Sequence, residues 1–423
     1  MTPESWQPIS VDALRIGHFV RLGHRWFEHP FLLNRFRIAS EHDIAIIREA
    51  RLANLFVDLA RSDLAQTAAT RPLLLDTTPK PDPSALVEQL QSRKAVQSAE
   101  VHRLQERLRE TQSSYHAAVV DCGTALALVG QGSHEAALVM GALVRTLLED
   151  AAQPHSPLTF VAMARPSQPA ERLACQALDA AGIAAAVGRR LGISADDMTT
   201  LTMSALLHSV GIAQLPESLQ DETLITDQSD LLAFQQYPLL GVERLRECGE
   251  FPLDVLRIVR QHRERLDGIG FPEHAAAPEI HSLALVVGAI REFQVSATRT
   301  DTALPAAALA QLYRELRGAY GPVAVDNVVA ALTVYPPGSF LALSDGSIGR
   351  VMQVNDAARL RPTVCLFDDA LTPAEAQIVD LSATTEIAVS GVLPPRRMTR
   401  EVREFFGEGW GGFALPKNQS LPV

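Results

Sequence analysis

Cysteine is scarce in this chain of 423 residues, and its four copies are far apart. Cys122, Cys175, Cys248 and Cys365 show no Cys-x-x-Cys spacing, so the sequence predicts neither a disulfide framework nor a zinc knuckle. Positive charge is also in deficit, since 38 Lys and Arg stand against 49 Asp and Glu, for a net charge of -11. Nucleic-acid surfaces need clustered Lys and Arg to neutralise phosphates, so we expect no nucleic-acid partner, although one small basic pocket is compatible with this charge.

Long apolar runs are missing as well. None approaches the roughly 18–20 residues that a membrane span needs. The first residues, Met1 to Gln7, have neither the basic nor the apolar region of a signal peptide. We therefore expect a cytoplasmic protein that does not enter a membrane. With 47% hydrophobic and 21% charged residues the composition is that of a folded globular protein, and the length favours two or three domains.

The beginning of the chain predicts a small mixed α/β domain. Alternating apolar residues from Pro8 to Val20 indicate a strand, a turn and a second strand, and the stretch from Leu55 to Leu59 predicts another. Ser40 is suited to cap the helix that follows it. Four prolines between residues 71 and 84 indicate a linker, and apolar residues at helical spacing from 84 to about 128 predict a connecting helix. This helix lacks a clean heptad, and a homodimer formed through it is an open alternative.

The remainder predicts a helical bundle followed by a β module. Residues 120–334 are rich in Ala and Leu at helical spacing, and prolines divide them into short helices. Beyond Gly338, alternating residues on either side of the turn Ser344–Ser347 indicate a hairpin, and Thr363 to Phe367 adds a strand. The expected fold class is thus α+β and multidomain. The expected boundaries are 1–65 for the N-terminal α/β domain, 66–119 for the linker and connecting helix, 120–334 for the bundle, 335–395 for the β module and 396–423 for a tail.

One segment points to a family. Residues 261–272 read Gln-His-Arg-Glu-Arg-Leu-Asp-Gly-Ile-Gly-Phe-Pro. This resembles the signature of the HD-GYP phosphodiesterases, which degrade cyclic di-GMP and usually carry His-His-Glu-Arg-x-Asp-Gly-x-Gly-Tyr-Pro. Arg263 stands in place of the second His, and Phe271 in place of the Tyr. The rest of the signature loop is kept, and the loop as a whole comprises Asp267, Gly268, Gly270, Phe271 and Pro272.

The same resemblance extends over most of the chain. Residues 8 to about 60 look like the small domain of unknown function that often precedes bacterial HD-GYP domains. For residues 120–334 the resemblance implies the HD-type helical bundle, in which His and Asp side chains hold two or three metal ions that activate a bridging water. It also implies that the signature loop engages GGDEF domains, which make cyclic di-GMP.

Most of the ligand places that the family implies carry other residues here. His208 and His262 remain, and we interpret them as the remnant of a metal site. The other places are degenerate: they hold Gln176, Ser209, Tyr237 and, at or near ligand places, Arg263 and Arg291. Two imidazoles are fewer ligands than even an open catalytic site provides, and arginines would repel a cation. We therefore expect no metal cofactor and no catalytic residue, with Fe or Mn bound only if the chain is active after all.

The two arginines allow two interpretations. Their planar forks suit phosphate oxygens, so Arg263, Arg291 and His262 could hold a phosphate without hydrolysing it. Alternatively, they pair with carboxylates such as Glu264, Glu292 or Asp267 and fill an abandoned cavity, which is the interpretation we favour.

The predicted function follows from this balance. We expect a degenerate, non-hydrolytic HD-GYP protein that acts in cyclic di-GMP signalling as a nucleotide sensor, or as an adaptor for a GGDEF-type or other signalling protein. Two alternatives stay open. The chain is an active metal-dependent cyclic di-GMP phosphodiesterase that uses substitute ligands such as Glu264 or Glu292, or it is a purely structural interaction module.

Overall fold

A computed structural model describes the chain in ranges. These are residues 6–23, 31, 35–52, 54–63, 106, 110, 113–151, 169–298, 305–332, 334–335, 339–355, 357–369, 371, 376–384, 387–393 and 398–406. The predicted linker and the first part of the predicted connecting helix lie outside them. The chain divides into two compact units. The first holds Met1–Glu106 with the loops Ser344–Ser347 and Asp368–Ile378, and the second holds the rest.

The first unit contains the predicted N-terminal α/β domain. Its antiparallel sheet has the order β1-β4-β2-β3, formed by β1 (Trp6–Pro8), β2 (Phe19–Leu22), β3 (Arg35–Arg37) and β4 (Leu55–Asp58). Helix α1 (Glu41–Glu49) begins at the predicted cap, because the Ser40 hydroxyl accepts from Asp43 N and the Asp43 carboxylate accepts from Ser40 N. Ile47 of α1 and Val20 of β2 are fully buried in its core.

The second unit holds the predicted helices together with most of the β module. The helices are α2 (113–130), α3 (Ala136–Asp150), α4 (Pro169–Leu191), α5 (Ala195–Leu207), α6 (Gln228–Phe234), α7 (Tyr237–Glu247), α8 (Leu253–Gln261), α9 (Ser282–Thr298), α10 (Pro305–Glu315), α11 (Arg317–Tyr320) and α12 (Pro322–Leu332). Short 3-10 helices at Val210–Gln214, Glu217–Leu219 and Glu222–Leu224 connect α5 to α6. No helix in the described ranges is both long enough and apolar enough to cross a bilayer.

Helix α4 stands between two apolar cores and organises the bundle. One of its faces packs against α2, α3, α5, α7 and α8, with Leu178 buried beside Met140 and Leu207. The other packs against α9, α10 and α12 around Ile183 and Phe293. A buried hydrogen bond of 2.9 Å from the Tyr115 hydroxyl to the Asp179 carboxylate ties α2 to α4. The described residues 113–130 of α2 contribute side chains to the first core, and Tyr115, Ala118 and Val119 among them precede the predicted boundary at 120.

A pair of glycines fixes the distance between the 3-10 helix Val210–Gln214 and α7. A Cβ on Gly211 would overlap the Tyr237 carbonyl oxygen and lie 2.6 Å from Gly241 N. A Cβ on Gly241 would in turn lie 3.2 Å from Gly211 N. Only glycine permits backbones to approach this closely, and the crossing places Tyr237 beside the residue that ends α5, His208.

The predicted β module has a five-stranded sheet of order β8-β7-β6-β5-β9. Its strands are β5 (Phe340–Leu343), β6 (Ile348–Gln353), β7 (Thr363–Leu366), β8 (Ile378–Asp380) and β9 (Val389–Leu393), and β5 with β6 form the predicted hairpin. Helix α13 (Arg400–Phe406) follows inside the segment predicted to be a tail. It is held because Phe405 and Phe406 pack against Phe367, and the Phe406 carbonyl accepts from the buried Arg350 guanidinium. The tail prediction is therefore wrong for residues 400–406.

Candidate functional site

The ends of three helices bring the two retained histidines together with a tyrosine. His208 caps the C-terminus of α5, His262 caps that of α8, and Tyr237 is the first residue of α7. The two imidazole rings meet edge to face, with centroids 5.4 Å apart, and the Tyr237 ring lies 5.5 Å from His262. All three side chains are fully buried or nearly so. Residues that the sequence placed at three separate ligand positions thus form one cluster.

Both nitrogens of His262 have hydrogen-bond partners. Its Nδ1 lies 2.7 Å from the Val259 carbonyl oxygen, and its Nε2 lies 2.7 Å from the Tyr237 hydroxyl. A carbonyl oxygen only accepts, so the Nδ1 carries the proton and the Nε2 accepts the hydroxyl proton of Tyr237. Tyr237 therefore occupies the lone pair that a metal would need. The sequence marked Tyr237 as a lost ligand, but this contact follows only from the fold.

The Nε2 of His208 differs from that of His262 in its hydrogen bonding. The Nδ1 of His208 donates to the Ala205 carbonyl oxygen at 2.7 Å, whereas its buried Nε2 has no hydrogen-bond partner among the residues that the structure describes. Burial, with the positive charges of Arg291 and Arg263 nearby, lowers the pKa of His208 to about 3. Burial also lowers the pKa of His262 well below its usual value, and His208 and Arg263 act in the same direction. Both imidazoles are therefore neutral at physiological pH.

The pH dependence of stability reports on this neutral state. An unfolded histidine takes up a proton near pH 6.5, while folded His208 stays neutral down to about pH 3. The stability that neutral His208 maintains is therefore complete above pH 6.5 and declines as the pH falls from there. Between pH 7 and pH 5 we expect the free energy of unfolding of the native chain to drop by about 2 kcal/mol more than that of His208→Asn.

Urea titrations at both pH values measure this difference. Exposed His134, changed to Asn, provides the control for a histidine that leaves the cluster intact. Parallel pH profiles for the native chain and His208→Asn would show that the His208 imidazole does not resist protonation in the folded state.

Arg263 and Arg291 are both paired with carboxylates, and one carboxylate bridges the two. The Glu222 carboxylate spans both guanidinium groups, with Oε1 3.2 Å from Arg263 Nη2 and Oε2 3.1 Å from Arg291 Nη2. Glu292 Oε1 lies 3.0 Å from Arg263 Nη1, and also accepts from the Tyr320 hydroxyl at 3.2 Å. We call Glu292, Arg263, Glu222 and Arg291 the charge chain. Two formal positive and two formal negative charges make it neutral.

The arginines of the charge chain are largely buried, which strengthens their dependence on the paired carboxylates. The Arg263 side chain is only 8% exposed and that of Arg291 11%, while both glutamates are about a quarter exposed or less. Desolvation disfavours the charged form of Arg263, but the coulombic attraction of Glu222 and Glu292 outweighs it and raises the pKa of Arg263 well above its ordinary value. The Arg263 guanidinium also lies over the Phe271 ring, 5.0 Å from its centroid. Arginines and glutamates thus stabilise one another where the family would place cations.

Sequence reasoning found only part of these pairings. Glu292 was one of three expected partners for the arginines, whereas Glu222 was missed. Its segment carries no family motif, and it lies 41 residues from Arg263 and 69 from Arg291. The other two expected partners bind elsewhere. Asp267 pairs with Arg265 at 2.6 Å, and Glu264 faces the backbone of the signature loop.

Glu264 holds the signature loop through hydrogen bonds to the backbone that follows it. Its carboxylate is fully buried and accepts from Glu273 N at 2.7 Å and from Ala275 N at 3.0 Å. The loop needs glycine at two positions, because Gly268 has a φ of 74° and a Cβ on Gly270 would lie 2.5 Å from Glu264 Cα. The aspartate of the signature, Asp267, accepts from Ile269 N and shapes the turn. Phe271 packs on Tyr237, and Pro272 follows it in the loop.

Ser209 and Gln176 are the remaining positions that the sequence predicts to be degenerate. Ser209 is buried and begins the 3-10 helix Val210–Gln214. Gln176, on α4, lines a cavity of about 620 Å³, a size typical of small-molecule sites. The polar residues that line this cavity are Arg172, Gln176, Glu217, Gln220, Asp221, Glu222, Thr223 and Arg291, and the apolar ones include Leu126, Leu173, Ile212 and Leu224. The charge chain therefore borders the cavity through Glu222 and Arg291.

The residues present do not fit a metal centre. In the described part of the chain, no group of three or more His, Cys, Asp or Glu side chains is placed to hold a metal ion. The Nε2 of His262 is bonded to Tyr237, which leaves the Nε2 of His208 as the one imidazole lone pair of this cluster that lacks a donor. The carboxylates of the charge chain, Glu222 and Glu292, are paired with arginines. The chemistry of this donor set favours anions and protons over divalent cations.

Comparisons with known proteins show what two parts of the chain resemble. Residues 7–137 match DUF3391, a domain of unknown function, and residues 147–322 match the HD domain. Cyclic di-GMP phosphodiesterase PA4108 of Pseudomonas aeruginosa is 23% identical over 386 residues, which is 88% of each chain. Cyclic di-GMP phosphodiesterase PdeB of Borreliella burgdorferi is 20% identical over 177 residues, or 41% of this chain and 46% of that protein.

A solved structure also resembles the chain. Bd1817, an HD-GYP-type protein of Bdellovibrio bacteriovorus, covers 77% of this chain with 98% of its own length, at 14% identity and a TM-score of 0.42. The two domain matches and the relatives confirm the resemblance that the signature segment predicts. Residues 147–322 thus match the HD domain behind a DUF3391 match at residues 7–137, and the chain resembles the HD-GYP proteins.

Proposed function

We propose that this chain is a non-hydrolytic HD-GYP protein that works in cyclic di-GMP signalling in the cytoplasm, as a sensor that binds the nucleotide without cleaving it. The observation that supports this most is that side chains at the expected ligand places are engaged by partners within the protein. Tyr237 donates to the His262 Nε2, and the charge chain supplies two guanidinium groups beside the histidines. Hydrolysis of a phosphodiester at a metal centre needs cations to activate water. Binding of a phosphodiester needs only positive charge and donors, which arginine provides.

The cavity supports the sensor over the purely structural module. It borders Arg291, and its volume of about 620 Å³ is suited to a small ligand. A molecule with phosphate groups that enters it meets a guanidinium at the inner end and the side chains of Arg172 and Gln176 along α4. PA4108 and PdeB are named as cyclic di-GMP phosphodiesterases, and on that ground we take cyclic di-GMP as the nucleotide.

The adaptor is the second candidate, and the signature loop supports it. Ile269, at the loop tip, is 69% exposed, although the loop around it is rigidly held by Glu264 and Asp267. An ordered loop that presents an apolar side chain to solvent suits a protein partner, such as a GGDEF-type protein. Calorimetry with cyclic di-GMP separates the two candidates, because only the sensor binds the nucleotide.

The active phosphodiesterase receives less support. It requires substitute ligands, and Glu264 uses both carboxylate oxygens on backbone N–H groups 9 and 11 residues away in sequence. Glu292 is engaged by Arg263 and Tyr320. Either carboxylate would have to abandon buried partners to reach a cation, which costs several kcal/mol by the usual penalty for stranding a buried charge.

We expect the purified chain to contain far less than one Fe or Mn per molecule and to leave cyclic di-GMP intact. Plasma emission spectrometry after purification in metal-supplemented medium measures the first, and chromatography of the nucleotide after long incubation measures the second. Stoichiometric metal together with turnover that disappears in His208→Ala would contradict the proposal. Ser209→Ala serves as the matched control, because it changes the neighbouring buried side chain and leaves both imidazoles in place.

A further inference from the structure

The Glu222 carboxylate occupies the position between Arg263 and Arg291 that a phosphate bound to both arginines would take. Its two carboxylate oxygens contact the guanidinium groups of Arg263 and Arg291 at 3.2 and 3.1 Å, one oxygen on each. A phosphate that bridges two arginines presents two of its oxygens in the same manner. Glu222 also lines the cavity, so it stands between the cavity and the inner arginine, Arg263, which does not line it.

The segment that carries Glu222 is weakly anchored. Between Pro216 and Asp227 only Leu219 is buried, in the cluster of Phe234 and Tyr237. The half-buried Ile225 packs against the same cluster, and the other side chains are half-buried or exposed. An ion pair of 3.8 Å between Arg172 and Asp221 adds a partly exposed contact, which contributes little. The 3-10 helix Glu222–Leu224 is a single turn, whose hydrogen bonds are inherently poor. Moving Glu222 aside therefore disturbs little apolar packing.

Arg263 pairs with a second carboxylate besides Glu222, and this second carboxylate, Glu292, is not paired with Arg291 in the described residues. Arg263 keeps Glu292 when Glu222 leaves, whereas Glu222 is the carboxylate paired with Arg291 in the described residues. Arg291 also borders the cavity. An incoming anion would thus displace Glu222 from Arg291 first, and Arg263 would remain compensated throughout.

We propose that Glu222 is a built-in competitor for an anion site formed by Arg291 and Arg263, so that a ligand carrying a phosphate or phosphodiester binds only by displacing its carboxylate. This deepens the proposed sensor function and rests on it for the identity of the nucleotide. The competitor keeps the two buried arginines neutralised when no ligand is bound. It also reduces affinity, since each ligand must break two charge-assisted hydrogen bonds before it makes its own.

Removing the competing charge is expected to tighten binding. In Glu222→Gln the amide is uncharged and cannot accept from both arginines as a carboxylate does, so we expect cyclic di-GMP to bind about tenfold more tightly than to the native chain, judged by calorimetry. Glu217→Gln is the matched control. It lies on the same segment, lines the same cavity and removes the same charge, but it contacts neither arginine. It should change the affinity less than about twofold.

Inorganic phosphate tests the site without the nucleotide. Added at constant ionic strength, it should raise the melting temperature of Glu222→Gln more than that of the native chain or Glu217→Gln. The effect should vanish in the double variant Glu222→Gln with Arg291→Ala. Glu222→Asp, which keeps the charge but is too short to span both guanidinium groups, provides a second variant should Glu222→Gln fold poorly. It should show a smaller gain in the same direction.

The outcomes separate the two proposals. Equal affinity of the native chain, Glu222→Gln and Glu217→Gln for cyclic di-GMP would overturn the competitor while leaving the sensor intact. A phosphate response confined to Glu222→Gln, together with no cyclic di-GMP binding by any variant, would support the anion site and overturn the sensor. Weaker binding by Glu222→Gln would mean that the carboxylate holds the site open, and the proposal would be wrong.

Discussion

Gly211→Ala is expected to destabilise the helical unit by at least about 3 kcal/mol, toward the upper end of the range for single overpacking substitutions. The added Cβ would overlap the Tyr237 carbonyl oxygen and press on Gly241 N. Both obstacles are backbone atoms, so no side-chain rotation relieves the clash. Because Tyr237 begins α7, the displacement is transmitted directly to the tyrosine that bonds His262.

Gly130→Ala is the control for Gly211→Ala. It makes the same chemical change at the end of α2, where a Cβ would meet no atom within 4 Å. Alanine favours the helix relative to glycine, so the free energy of unfolding should stay the same or rise slightly. Urea unfolding followed by circular dichroism measures both variants. If the two lose equal stability, the close crossing of the 3-10 helix and α7 is not what fixes this glycine.

Glu264→Gln is expected to cost roughly 2–3 kcal/mol and to loosen the signature loop. The carboxylate is fully buried and accepts two backbone N–H groups, from Glu273 and Ala275. An amide of the same shape accepts only one of them and turns an N–H donor toward the other. A buried donor facing a donor loses its hydrogen bond and retains its desolvation cost.

Hydrogen exchange and urea unfolding together identify the cause. The amides of Glu273 and Ala275 should lose protection in Glu264→Gln beyond the global change in stability. Glu273→Gln is the comparison, because it alters the surface pair with Arg260 and keeps the backbone N–H that Glu264 binds. It should cost less than about 1 kcal/mol. Unchanged protection at Ala275 in Glu264→Gln would show that another interaction holds the loop.

Local signals in the sequence predicted the architecture well. The cap at Ser40 and the turn at Ser344–Ser347 are formed by residues close together in sequence, so the local sequence is enough to predict them. The end of the chain was harder to predict. Helix α13 depends on Phe405 and Phe406 meeting Phe367, a contact that spans nearly forty residues, and the glycines that follow suggested a tail instead.

For the site, the sequence predicts which residues stand at ligand places but not which contacts they make. Aligning the family motifs predicts that Tyr237 and Arg263 stand at two of those places. What those side chains do instead depends on contacts between distant parts of the chain, such as the bond from Tyr237 to His262 and the bridge from Glu222 to Arg263. A carboxylate in a segment without a motif looks like any exposed glutamate until the fold brings it to an arginine.

The charge chain also bears on whether the positive charge of this domain comes from the polypeptide or from a supplied metal ion. A positive charge carried by Arg263 or Arg291 is part of the polypeptide from its synthesis onward. A positive charge carried by a metal has to be supplied, can be exchanged and can be stripped by a chelator. On the proposed function, in which arginines supply the positive charge, this domain would not depend on a supply of iron or manganese.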